Sequence, residues 1–240
     1  MNKNKLERFI SKYTLGGLVN SVKWTIKDNI LSTIFDTPDK TVLGKVSVNK
    51  FPFENAALGV YTTDQLQKLL SVLSDNIELT LTEIDKRAVS LHITSQQTSV
   101  NFVLADTAVI SEPHHFQSQT IPEFETIIDI DTSFINTFIR AKSALPDVET
   151  FTIINNGTLR VIIGYSLTNT NRVTIPVKGQ EDFLFEPISF NANVFKEILF
   201  ANRECTSAQL KLSNKGLAHI QFNIDDYSAE YYIVAVQKSV

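Results

Sequence analysis

The 240-residue sequence predicts an α+β protein of two similar halves, each holding two copies of a short helix followed by antiparallel strands. Three observations lead there. Four segments carry the apolar spacing of an amphipathic helix, and each is followed by three strand-like runs. Turn signals, "KDN", "NNG" and "NKG", sit between paired runs. Near the midpoint a stretch with two prolines, "DTAVISEPHHFQSQTIPEF" (106–124), breaks the periodicity.

In chain order, Leu6, Phe9, Ile10 and Tyr13 mark a first helix over 1–13, followed by "LVNSVKWTI", "ILSTIF" and "TVLGKVSV". "LGVYT" leads into a second helix, 62–74, carried by Leu66, Leu69, Leu70 and Leu73. "IELTLTEI", "AVSLHIT" and "SVNFVLA" come after it. "ETIIDI" leads into a third helix, 132–143, with Phe134, Ile135, Phe138 and Ile139, then "VETFTIIN", "TLRVIIGYSL" and "RVTIPV". "EPISFN" leads into a fourth, 191–203, with Val194, Phe195, Ile198 and Leu199, then "AQLKLS", "LAHIQFN" and "AEYYIVAV". Thr62, Asp131 and Asn191 are suited to cap their helices, and Thr62 with Gln65 has capping-box spacing. Each helix is short enough to hide one face only. The halves are expected at 1–108 and 124–240, joined by a linker over 109–123.

Composition fits a cored globular chain: 43% hydrophobic, 20% charged, with 16 Phe against one Trp and one Met. A single cysteine, Cys205, excludes an intramolecular disulfide and points to a reducing cytoplasm. Cys205 itself is expected to pack at the start of a strand. No segment approaches the apolar length of a spanning helix, and "MNKNKLERFISKYT" has no signal-peptide core.

Catalytic and cofactor signatures are missing. There is no GxxxxGK[ST] or GxGxxG run, so no nucleotide cofactor is expected. His114 and His115 stand next to each other near Glu112 without further ligands at regular spacing, so no metal is expected. His92 and His219 hold corresponding places in the second and fourth units and read as structural. Asp225 and Asp226 read as turn residues. The sequence therefore predicts a protein that is not an enzyme.

The four units, the mid-chain linker, the opening "LERFISKYTLGGLVNSVKWTIKDNILSTIFDTPDKTVLGKVSV" and the closing "AEYYIVAV" resemble the DNA sliding clamp family, the proliferating-cell-nuclear-antigen-like proteins. The resemblance covers nearly the whole chain and is one of architecture. Two departures, a start almost directly in the first helix and a C-terminal extension reduced to "QKSV", look more like the phage polymerase processivity factors.

The resemblance implies a sliding-clamp fold and a homotrimeric ring. It implies sequence-independent binding of double-stranded DNA, a DNA polymerase partner and a separate ATP-dependent clamp loader. It also implies cytoplasmic localisation, in the host cytoplasm if the chain is phage-encoded. Subunits would join through 98–105 and 171–177, with Asn101, Val103, Arg172 and Thr174 at the contact. Partner peptides would dock on Phe35, Val42, Ile110, Phe116, Ile121, Tyr232 and Val234.

Charge agrees with that reading. The four helices carry nine basic residues, Lys3, Lys5, Arg8, Lys12, Lys68, Arg140, Lys142, Lys196 and Arg203, against three acidic ones. They are thus +6 while the rest of the chain is −10, and these nine are the expected phosphate contacts. Solvated helix faces are also often rich in Lys and Arg. The alternatives are a non-encircling polymerase accessory and a structural β-rich scaffold protein, separable from the clamp by mass in solution.

Overall fold

In the computed structural model, residues 1–113, 121–166, 168, 170–179 and 185–236 are described. The chain divides into two compact units, Met1–Ser118 with Asp225–Ala229, and Gln119–Ile224 with Glu230–Val240.

The first unit begins with α1 (Lys3–Thr14), which buries Leu6, Phe9, Ile10 and Tyr13 completely. Asn2 caps it, its Oδ1 accepting from the Asn4 N–H at 2.8 Å. Met1 and Asn2 pair with 75–77 through the Ile77 N–H to the Met1 carbonyl (2.9 Å) and the Lys3 N–H to the Asp75 carbonyl (2.7 Å).

Leu15–Gly17 form a turn of 3-10 helix, with Leu15 at φ 47, so the first strand starts later than the apolar run suggests. Strands β1 (Val22–Lys27), β2 (Ile30–Asp36), β3 (Val42–Val48) and β4 (Ala56–Val60) form a sheet ordered β4-β1-β2-β3. α2 (Thr63–Ser71) and a second sheet, β5 (Glu78–Ile84), β6 (Arg87–Ser95) and β7 (Thr98–Val103), follow.

Thr62 stands at the N-terminus of α2 but makes no side-chain cap. Asn20 supplies it instead, its Oδ1 accepting from the Asp64 N–H at 2.9 Å. The helix is also shorter than its apolar periodicity predicts: Val72 closes it and Leu73 packs beyond its end.

The second unit repeats the plan, with a strand ahead of its first helix. β8 (Thr126–Asp131) runs into α3 (Thr132–Ala144), capped by Asp131, whose Oδ1 accepts from the Phe134 N–H at 2.7 Å. Then come β9 (Thr150–Asn155), β10 (Leu159–Ile163), β11 (Val173–Pro176) and β12 (Phe185–Asn191), ordered β11-β10-β9-β12. β10 stops at Ile163 because Gly164 turns at φ 82, well short of the run's apolar end. α4 (Ala192–Ala201) is capped by Asn191 and followed by β13 (Ser207–Ser213), β14 (Leu217–Ile224) and β15 (Tyr227–Val234). Cys205 lies buried just before β13, its thiol donating to the Ser207 carbonyl.

The correspondence extends to pairing. β1 pairs with both β2 and β4, and β9 pairs with both β10 and β12. Each unit packs aromatic rings between helices and sheet. In the first, Phe9 meets Tyr13 at 5.6 Å and Trp24 at 5.7 Å, edge to face. In the second, Phe138 meets Phe151 at 5.2 Å and Phe195 at 5.0 Å.

Candidate nucleic-acid and partner interfaces

The cations expected on the helices have unequal fates. α1 turns its apolar stripe inward, which leaves Lys5 and Lys12, two turns apart, on its flank rather than opposite the core. There they meet the β14–β15 turn. Lys5 Nζ reaches Asp226 Oδ2 at 3.2 Å, and Lys12 lies under the Tyr227 ring with its Nζ 5.5 Å from the centroid.

Lys12 is wholly buried, with its ammonium over the Tyr227 ring, so it is withdrawn from the expected phosphate contacts. Lys142 is withdrawn for a different reason. It is 3% exposed and donates to the carbonyls of Leu145 (3.3 Å) and Pro146 (2.9 Å) at the end of α3. Burial, with the nearby Lys196 charge, lowers its pKa. A lysine in a last helical turn just before Pro146 was a legible sign of that capping role; the burial of Lys12 by a residue 215 positions away was not.

The other seven reach solvent to different degrees. Lys68, Arg140 and Arg203 are exposed, Lys68 beside Asp64 (3.6 Å) and Arg203 with its guanidinium 4.5 Å from the Phe200 ring centroid. Lys3 donates to the Leu73 carbonyl (2.7 Å), and Lys196 lies 3.2 Å from Glu197. Arg8 contacts Asp225 at 3.1 Å and stacks on Tyr227, guanidinium to centroid 4.4 Å. Lys50, which the sequence reading did not single out, joins the same cluster at 2.9 Å from Asp226. Lys50 and Lys5 together hold the Asp226 carboxyl below the usual carboxylate range.

The described residues among the seven expected to receive partner peptides differ in exposure. Phe35 (2% exposed) and Val42 (1%) are core residues of the first unit, and this corrects their assignment. Strand parity decides it. On β2 and β3 the residues Leu31, Thr33, Phe35 and Val42, Gly44, Val46 all point inward, and the Phe35 ring covers Gly44 across the pair. A Cβ at Gly44 would stand 2.2 Å from Phe35 Cζ, so that glycine is the seat of the ring. Ile110 is buried at 7% at the end of a short 3-10 turn, while Ile121 is half exposed. Phe116 lies outside the described residues.

Tyr232 and Val234 do share the outer face of β15, and the structure adds neighbours there that the sequence reading set aside. The His219 ring stacks between Phe124 (5.7 Å) and Tyr232 (4.6 Å). Glu230 Oε1 accepts from the Tyr232 hydroxyl at 3.1 Å and lies 2.8 Å from His219 Nε2. Burial, then the Glu230 charge, pushes the Tyr232 pKa up to about 12. Val234 is 47% exposed beside this stack, so the face offers an aromatic floor with an aliphatic rim. Parity was the available signal: His219, Glu230, Tyr232 and Val234 all fall on outward positions of their strands.

β7 lies at one end of the sheet β5-β6-β7, and β11 at one end of β11-β10-β9-β12. The Leu104 N–H donates to the Val89 carbonyl (2.9 Å), and the Val177 N–H to the Leu159 carbonyl (3.2 Å). By alternation, the N–H groups of Asn101, Val103 and Thr174 therefore point away from their own sheets, and Arg172 lies just ahead of β11. Pro176, which has no N–H, falls on the same outward side at the last residue of β11. Val103 (72% exposed) and Tyr61 (58%) flank a shallow pocket of about 300 Å³ between α2 and β7.

Among the described residues no group of three His, Cys, Asp or Glu side chains is placed to hold a metal, and no helix is long and apolar enough to cross a membrane. His114 and His115 lie outside the described residues.

No family model matches the sequence, and no curated protein matches it either. The structure is similar to the crystal structure of Proliferating Cellular Nuclear Antigen from Entamoeba histolytica, with a TM-score of 0.72 at 15% identity. The match covers 98% of this chain and 96% of that one. The chain has the α+β DNA sliding-clamp fold.

Proposed function

We propose that this chain, having the sliding-clamp fold over its full described length, is a DNA polymerase processivity clamp that assembles as a homotrimeric ring around duplex DNA. One observation carries the reading: all four helix-plus-strand units are present in clamp order, at 98% coverage of the chain. A ring of this kind acts by topology, so no reacting side chains are required. Solvent-facing Lys68, Arg140 and Arg203, with the partly exposed Lys3, Lys5, Arg8 and Lys196, meet phosphates without reading sequence.

The edges of β7 and β11 offer backbone donors and acceptors through which one copy joins the next, with Asn101, Val103, Arg172 and Thr174 at the seam. Peptide tails of a polymerase and of an ATP-dependent loader dock on Ile121, Tyr232 and Val234. The test is mass in solution followed by loading onto circular and linear duplex. A species of three 26.9 kDa chains, retained on circular DNA and lost from linear ends, supports the reading. A monomer that stimulates a polymerase without being retained points to a non-encircling accessory.

A further inference from the structure

The turn between β14 and β15 is more acidic than its geometry requires. Asp225 adopts φ 52, a left-handed conformation that Asn tolerates at least as well, as Asn29 does at φ 61 in the β1–β2 turn. Turn chemistry thus explains a small polar residue and leaves the charge unexplained. The charge has partners. Asp225 contacts Arg8 at 3.1 Å, and Asp226 bridges Lys5 (3.2 Å) and Lys50 (2.9 Å). The turn is also fastened without its carboxylates: the Tyr227 hydroxyl donates to the Lys5 carbonyl of α1 at 2.9 Å, and the Asp226 carbonyl accepts from the Asn49 N–H just after β3 at 2.8 Å.

We infer that Asp225 and Asp226 form a built-in counter-ion that occupies Lys5 and Arg8 in competition with DNA phosphate, holding the intrinsic affinity of the first helix down. Arg8 also stacks on the Tyr227 ring, a contact that does not involve the Asp225 carboxylate, and this places its guanidinium for phosphate to displace the carboxylate. The three cations and two carboxylates leave this cluster at +1, against +3 without the carboxylates. For a protein that must slide, weak contacts that exchange rapidly with an internal anion keep the ring from sticking at one place. The inference rests on the DNA reading above.

The experiment measures binding of the full-length chain to a short duplex by anisotropy across a salt series. Asp225→Asn with Asp226→Asn is compared with the native chain and with Glu83→Gln/Asp85→Asn, which removes the same charge at the β5–β6 turn. The turn variant is expected to bind about threefold to tenfold more tightly at low salt. Its slope of log K against log salt should steepen by up to about 1.8, because Lys5 and Arg8 then pair with phosphate without dividing their time with the carboxylates. The Glu83/Asp85 control should shift affinity without changing the slope. Equal affinity and slope in the two variants would overturn the inference while leaving the DNA reading in place. No duplex binding by any of the three chains would overturn both. Should the double variant unfold, Asp225→Asn alone, which removes the carboxylate charge beside Arg8, is expected to steepen the slope by up to about 0.9 and is judged the same way.

Discussion

Val103→Pro separates assembly from folding because of where the Val103 backbone points. Its neighbour Leu104 donates inward to Val89, so the Val103 N–H faces away from the β5-β6-β7 sheet and contributes nothing to it. A proline there removes no bond within the chain, which is the one circumstance in which a strand accepts proline. In a ring joined through β7 and β11 that same N–H becomes an interface donor. Losing it forfeits about 1 kcal/mol of net hydrogen bonding, and the ring's Cδ pushing the neighbouring strand away weakens an adjacent bond by about as much. About 2 kcal/mol per seam is roughly 30-fold. A closed trimer has three seams, so its formation constant should fall by about 10⁴-fold. Sedimentation at micromolar concentration should then show monomer where the native chain is trimeric, while the thermal midpoint of the monomer fold moves little. A variant that remains trimeric with unchanged dissociation on dilution would refute the assignment of the seam to β7. A variant that loses its fold would refute the outward direction of the Val103 N–H.

Tyr232→Ala with Val234→Ser should leave the ring intact and weaken capture of a polymerase tail peptide by about 30-fold or more, read by calorimetry; an unchanged affinity would place the docking site elsewhere. Lys68→Ala, Arg140→Ala and Arg203→Ala, combined, should flatten the salt dependence of duplex binding by about 0.9 per residue that contacts phosphate, and an unchanged slope would remove these three from the DNA-facing set. The Asp226 carboxyl is held below its unfolded value by Lys50 and Lys5, so its stabilisation is present at neutral pH and fades as pH falls through the folded value. The melting-temperature gap between the native chain and Asp226→Asn should therefore be positive at pH 7 and close below about pH 4; a gap that persists in acid would mean the carboxylate charge is not its source.

The division between what sequence determined and what tertiary structure decided follows the range of the forces involved. Local periodicity was sufficient for the four helices, because Leu6, Phe9, Ile10 and Tyr13, or Phe134, Ile135 and Phe138, define a stripe within one element whatever it packs against. It was sufficient too for the caps at Asp131 and Asn191, which act within three residues. Parity along a strand placed Tyr232 and Val234 on one face, although the same rule applied to β2 would have sent Phe35 inward.

Fates fixed by distant partners were not legible. The Thr62 cap was pre-empted by Asn20, which the folded chain brings across 44 residues to the Asp64 N–H. Lys5, Arg8 and Lys12 all count as expected phosphate contacts until the β14–β15 turn arrives from more than 200 residues away, pairing two of them and placing Tyr227 over the third. A cation's exposure, unlike an apolar stripe, depends on which anion or ring the fold delivers beside it, and no periodicity in the neighbourhood of Lys12 records that Tyr227 will be there.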